Sequence, residues 1–189
     1  SVPPMSLAAA VHDTVNDHET LVALDRAHLI HPVASWRQHE KRGPRVLASA
    51  RGAWLTDDLG HQVLDAFAGL WCVNVGYGQD SVVQAATRQL RQLPYATAYF
   101  DFASEPAIRI APRLAEITPP SLTRVYLTLG GSEAVDAATR FIAQYWNSLG
   151  LPQKKHFISL ERGYHGSSST GAGLTALPVF HRGFDLPLP

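Results

Sequence analysis

Cysteine occurs only once in this sequence of 189 residues, at Cys72, so no disulfide can form within the chain and a reducing cytoplasm fits best. No apolar run is long enough to span a bilayer, which argues against a membrane protein. Neither sign of charge prevails: 16 lysines and arginines meet 16 aspartates and glutamates, which leaves no basic face for nucleic acid. Ser1 to Ala10 are small and apolar but lack a basic n-region, so no secretory signal is expected. No metal-ligand pattern is read from the sequence. Lysine is scarce, at Lys41, Lys154 and Lys155 only. Apolar residues are plentiful at 46%, enough for the core of one or two domains.

The segment from Asp17 to Trp36 reads as a helix followed by a loop, with His31-Pro32 interrupting it. Three short β-prone runs, Val46 to Ala48, Ala53 to Thr56 and Gln62 to Leu64, are separated by Arg51-Gly52 and Asp57-Asp58-Leu59-Gly60, which predicts a meander. After the glycine-rich Asn74 to Gly78, Asp80 caps a helix with Val82, Val83, Ala86 and Leu90 on one face. A second helix opens at Ser104-Glu105-Pro106, turns Ala107, Ile110, Ala111 and Leu114 inward, and ends before Pro119-Pro120.

Arg124 to Thr128 is a buried-strand run, and Gly130-Gly131-Ser132 leads from it into a helix with Ala134, Ala138, Phe141, Ile142 and Tyr145 on one side. His156 to Leu160 is the next strand. Strand, helix and strand in this order predict a right-handed crossover and a parallel sheet covered by helices.

Two places along this unit suit a ligand. At Leu129 to Ser132, free backbone N–H groups and the positive end of a helix dipole converge, and glycines let an anion approach the main chain. The same residues also suit a plain tight turn with Ser132 as the cap. The spacing of a nucleotide P-loop and that of a dinucleotide fingerprint are both missing, so ATP and NAD are disfavoured. On the next loop, Tyr164 and His165 stand between Gly163 and Gly166 at the sheet edge where α/β ligands bind. A planar ring stacked there gains about 1 kcal/mol beyond its area burial. The two residues are equally compatible with an ordinary loop packed on a helix.

Taken together, Thr128 to Asp136 and Gly163 to Ser167 resemble the cofactor-phosphate turn and ring-stacking loop of the class III, or omega-, aminotransferases. Gly43 to Val46, Asp65 to Gly78, Leu93 to Tyr95, Tyr145-Trp146 and Phe184 to Pro187 have counterparts there too. Ala68 to Gly78 is closest to the pyruvate-dependent omega-amine, beta-alanine and polyamine branch. The resemblance implies an α/β, type I pyridoxal-phosphate transferase fold. Residues 1–73 would belong to a small domain containing the meander, and residues 74–189 to the first part of a large, mainly parallel-sheet domain.

Gly131 and Ser132 would hold the phosphate of pyridoxal 5'-phosphate, Tyr164 would stack on its ring with His165 beside it, and Trp71 with Tyr99 would line the amine pocket. The alternative for Trp71 is a core tryptophan at a domain boundary. Relative to the family, Gly130 replaces a serine of the phosphate turn and Val135 stands where asparagine is frequent.

The implied reaction moves an amino group from a primary amine or omega-amino acid to pyruvate or another keto acid. The protein would be a homodimer or tetramer with its active site at the subunit interface. None of the three lysines matches the Schiff-base lysine, and that residue and the aspartate for the ring nitrogen are expected beyond Pro189, which makes the chain a piece of a longer enzyme. Other class III chemistry, by an aminomutase or a decarboxylase, and a non-catalytic phosphate-binding or dimerisation module remain as alternatives.

Overall fold

The computed structural model describes residues 17–185; Ser1 to Ala10 and the Leu186-Pro187 end of the last resembling motif lie outside the described residues. The chain divides into two compact units, Ser1–Tyr95 and Ala96–Pro189.

In the first unit, α1 (His18–His28) is the expected helix, and a second helix the sequence reading missed, α2 (Trp36–Arg42), follows the His31-Pro32 break. Gly43 stops α2 at φ +70°, a left-handed conformation that glycine adopts without penalty. The meander forms as expected: β1 (Leu47–Arg51), β2 (Trp54–Asp57) and β3 (Gln62–Leu64) pair antiparallel in sequence order. Its second turn is built on buried Asp57, whose Oδ1 accepts from the N–H groups of Leu59 at 3.1 Å and His61 at 2.7 Å. An aspartate that satisfies nearby amides in this way favours a turn over continued strand. Gly52 exchanges two backbone bonds with Tyr77, of 3.0 and 2.8 Å, which ties the first hairpin to the glycine-rich segment.

Between the meander and that segment, α3 (Ala68–Trp71) is a single left-handed turn: φ is +49° at Ala68, +57° at Gly69, +62° at Leu70 and +72° at Trp71. For residues bearing a Cβ this conformation costs roughly 1–2 kcal/mol each. α4 (Asp80–Gln92) starts where expected, but Asp80 is its first helical residue and Gln79 takes the cap position without a side-chain bond. Its apolar face, Val82, Val83 and Leu90, is exposed.

The second unit begins with α5 (Glu105–Ile117), which opens behind Ser104 and ends before Pro119 as expected. Pro112 lies inside it, so the Ile108 carbonyl lacks its usual helical donor. α6 (Gly131–Ser148) then follows the Gly130-Gly131 turn.

Two expectations change here. The runs at 122–128 and 154–160 are not paired, and the only sheet among the described residues is the meander. A crossover helix makes two strands parallel without making them neighbours, so each run still needs partners other than the described residues. The face of α6 also differs from the reading. Tyr126 meets Phe141 edge-on at 5.2 Å, so the predicted apolar stripe does lie against the 122–128 run. Phe141, Ile142 and Tyr145 nevertheless stay largely exposed, while Ser132, Val135, Asp136, Thr139 and Ala143 are the half-buried stripe. α7 (Ser169–Leu174) packs against α6, with Ser132 and Asp136 bonded to Ser167, Ser168 and Gly171, and a 3-10 turn at Pro178–Phe180 follows.

Candidate functional site

The centre of the second unit is the junction between the start of α6 and the loop that precedes α7. Gly130 is extended as the N-cap, and no side-chain bond closes the first turn of α6. Gly131 has open space where a side chain would stand. The main-chain donors of this end therefore face outward with the positive pole of an 18-residue helix behind them.

Ser132 ties this turn to the aromatic loop. Its Oγ accepts from the Ser167 N–H at 3.1 Å, which leaves its own hydroxyl hydrogen to donate elsewhere. The approach depends on Gly166: at φ +125°, an added Cβ would meet the Ser132 Cα and Oγ at 3.1 Å. Ser132 and the loop carrying Tyr164 and His165 are thus brought together as a unit.

Two residues that the sequence reading passed over hold the loop in place. Asp136, one turn beyond Ser132 on the covered stripe, accepts from the Ser168 Oγ at 2.8 Å and the Gly171 N–H at 3.2 Å, both on Oδ1. Thr175, fully buried, accepts from the His165 N–H at 2.8 Å and lies 3.0 Å from the Gly166 carbonyl and 2.9 Å from that of Gly171. Asp136 was discoverable from its i, i+4 spacing with Ser132. Nothing in the sequence distinguishes Thr175 from a solvated threonine.

The Tyr164 ring is more than half exposed and leans one edge on Phe180, with centroids 5.2 Å apart. His165 Nε2 is buried and has no hydrogen-bond partner. A buried polar atom left in this state costs about 1–3 kcal/mol, so a group that supplies a partner there is favoured. Tyr99 lies in the same unit, 74% exposed, beside Phe100.

Trp71 belongs to the first unit. It is 76% exposed and, with Ala66, Phe67, Ala68 and Asn74, lines an open recess of about 480 Å3. Asp65 fixes the left-handed turn that aims it: its Oδ1 accepts from the Phe67 N–H at 3.0 Å, and its Oδ2 from the Gly69 N–H at 2.7 Å and the Tyr77 hydroxyl at 2.8 Å.

The Tyr77 hydroxyl, with help from the two amides and against desolvation, holds the Asp65 carboxyl below its ordinary range, and the same bond raises the Tyr77 phenol. A carboxylate with a depressed folded pKa contributes stability that is present above its unfolded pKa and is lost as pH falls through the folded one. Acidification is therefore expected to release the Trp71 turn. In a variant whose other tryptophans are replaced by phenylalanine, Trp71 emission should report a transition below the usual aspartate range, and Tyr77→Phe should move it to higher pH. A midpoint that ignores Tyr77→Phe would remove Asp65 from this role.

Of the lysines, Lys154 is engaged over the Trp146 ring, its Nζ 3.9 Å from the centroid, as a surface cation–π contact.

Comparison with known proteins gives the family. The profile described as aminotransferase class-III matches residues 36–188. The putrescine–pyruvate aminotransferase of Pseudomonas aeruginosa is 41% identical over 167 residues, covering 88% of this chain and 37% of that protein. The mitochondrial gamma-aminobutyrate transaminase 1 of Oryza sativa subsp. japonica is 36% identical over 157 residues, covering 82% of this chain and 30% of that one. Among solved structures, the omega-transaminase of Pseudomonas jessenii in complex with PMP superposes with a TM-score of 0.86 at 37% identity, covering 89% of this chain and 37% of that one. The (S)-enantioselective omega-transaminase of Thermomicrobium roseum gives 0.87 at 35%, covering 92% and 39%. The chain thus spans between 30% and 39% of the length of these relatives, and over that span it has the expected α/β, type I transferase fold. It belongs to the class III aminotransferase family.

Proposed function

We propose that this chain supplies the phosphate turn, the ring-stacking loop and one wall of the amine site of a pyridoxal-phosphate transaminase. The observation that carries the reading is the Ser132–Ser167 bond, which joins an open helix N-terminus to an exposed aromatic ring. The residues fit the cofactor: the uncapped turn with open space at Gly131 suits a phosphate, and the exposed Tyr164 ring suits a planar one. Bound there, the cofactor supplies a carbonyl that exchanges amino groups and a conjugated ring that spreads negative charge. Gly131 and Ser132 hold the phosphate through N–H groups and the Ser132 hydroxyl. Tyr164 orients the ring by its face, and Trp71 and Tyr99 limit the size of the amine.

The donor is a primary amine or omega-amino acid and the acceptor is pyruvate or another keto acid, a reading supported by relatives named for putrescine with pyruvate and for gamma-aminobutyrate. These names disfavour an aminomutase or a decarboxylase. The assignment of residues 1–73 to a small domain and 74–189 to a large one belongs to this proposal. So does a cytoplasmic homodimer or tetramer, which rests on the family resemblance.

In the full-length protein, Ser132→Ala is expected to weaken cofactor retention by roughly tenfold, the worth of one hydrogen bond to a charged group. Tyr164→Ala should weaken it similarly and Tyr164→Phe far less, because stacking needs only the ring. Cofactor absorbance after dialysis, read beside amine-to-pyruvate turnover, is the test. Retention unchanged in both alanine variants would overturn the proposal, and equal damage from Tyr164→Phe would move the role to the hydroxyl.

A further inference from the structure

A second cluster of chemically capable side chains lies in the first unit, outside the site described above. Asp25 comes from the last turn of α1, His31 from the connection, and His39 from α2. The two imidazoles point their Nε2 atoms at one carboxylate, His31 2.6 Å from Oδ2 and His39 2.7 Å from Oδ1. Their ring centroids are 4.4 Å apart, and the three potential ligand atoms all lie within 4.8 Å of one another. The Asp25 and His39 side chains are only 11% exposed, whereas His31 is 30% exposed.

We propose that Asp25, His31 and His39 form a binding site for a divalent transition metal that staples α1 to α2. Two imidazole nitrogens and one carboxylate oxygen suit Zn2+ or its neighbours Co2+ and Ni2+, and do not suit the soft ions that prefer thiolates. Three protein ligands leave a fourth position for water, and the more exposed His31 marks the side from which it enters.

Metal binding requires the three side chains to rearrange. Tetrahedral ligands on zinc stand about 3.3 Å apart at bonds of about 2.0–2.1 Å. The imidazole that shares the ligating oxygen opens from its 2.6 or 2.7 Å contact to that separation, the other swings over from the second oxygen, and the ligand atoms, now within 4.8 Å of one another, close around the ion as it replaces the bridging protons. Each imidazole then carries its proton on Nδ1, and any extra proton of an imidazolium goes to solvent. The staple closes the chain between residues 25 and 39, so an ion that binds only the folded form stabilises the α1–α2 hairpin.

The test uses the full-length protein with Cys72→Ser, stripped by a chelator and titrated with Zn2+ and, separately, with Co2+. The expected result is one equivalent bound per chain, a Co2+ spectrum with visible d–d bands of nitrogen and oxygen ligation, and a Zn2+-dependent rise in the unfolding midpoint. Losing even an outer partner of a metal ligand costs about 10–100-fold in affinity. Asp25→Asn and His31→Gln should therefore each weaken binding by at least about a hundredfold and abolish the midpoint shift.

Asp25→Asn keeps the shape and one acceptor, so the metal-free protein remains folded, and its melting is measured in parallel. Failure of the wild type to bind a stoichiometric equivalent, or binding that survives both substitutions, overturns the proposal. A hydrogen-bonded His–Asp–His clamp without metal function would then remain.

Discussion

Gly166→Val is expected to abolish cofactor retention and to destabilise the Ala96–Pro189 unit by ~2–4 kcal/mol. Two costs act together. At φ +125° the backbone is in a region that a β-branched residue does not adopt without strain, and the new Cβ would stand 3.1 Å from the Ser132 Cα and 3.3 Å from the Gly171 Cα. Both neighbours are main chain, so no flexible side chain can move aside. Relief comes only by pushing the aromatic loop off the start of α6, which breaks the Ser132–Ser167 bond and separates the phosphate turn from Tyr164. Gly131→Ala is the control for stability, since nothing lies within 4 Å of its added methyl. Urea unfolding and cofactor absorbance read the two consequences separately. A Gly166→Val protein with wild-type retention would show that the two segments need not touch for the site to work.

Asp136→Ala carries the second large effect, an expected loss of ~2–3 kcal/mol, because hydrogen bonds to a charged group are worth about 1.5–3 kcal/mol and the abandoned donors sit on half-buried Ser168 and buried Gly171. The Ser168 hydroxyl and the Gly171 amide both lose their acceptor. The start of α7 then loosens, and the 163–168 loop that leans on it drifts. Asp136→Asn is expected to be much milder, since one amide oxygen can accept from both donors. An asparagine variant as unstable as the alanine variant would mean that the negative charge, rather than the acceptor, holds the loop.

The meander and the starts of α4, α5 and α6 were legible because each is specified locally. Glycine and aspartate set the turns, Ser104-Glu105-Pro106 opens a helix, and Gly130-Gly131 interrupts an apolar run. The resemblance of Asp65 to Gly78 and of the two loop motifs to a family gave the candidate site residues Gly131, Ser132, Tyr164, His165, Trp71 and Tyr99.

What escaped depends on residues far away in the chain. The sequence shows that 124–128 and 156–160 are strand-like but not which strands they pair with. It shows an apolar stripe on α6 but not that Ser132, Asp136 and Thr139 form the stripe covered in this chain. α2 was missed because Trp36 to Arg42 is almost wholly polar and short. The left-handed turn at Ala68–Trp71 was invisible because only one of its four residues is glycine.

The meander also sets an order of events in time. Its three strands use only residues 47–64, and every strand contact is between neighbours in sequence. Loops this short close in well under a microsecond, and a hairpin forms within roughly 1–10 microseconds. The 122–128 and 154–160 runs have no such local partner, so their pairing must await distant contacts, which form late and slowly. During that interval Leu129 and Ile158, which have no cover among the described residues, are presented to the surroundings. Folding in this order has a stage in which the 47–64 meander is already native while the second unit still exposes apolar side chains, the condition under which chaperone capture and aggregation act.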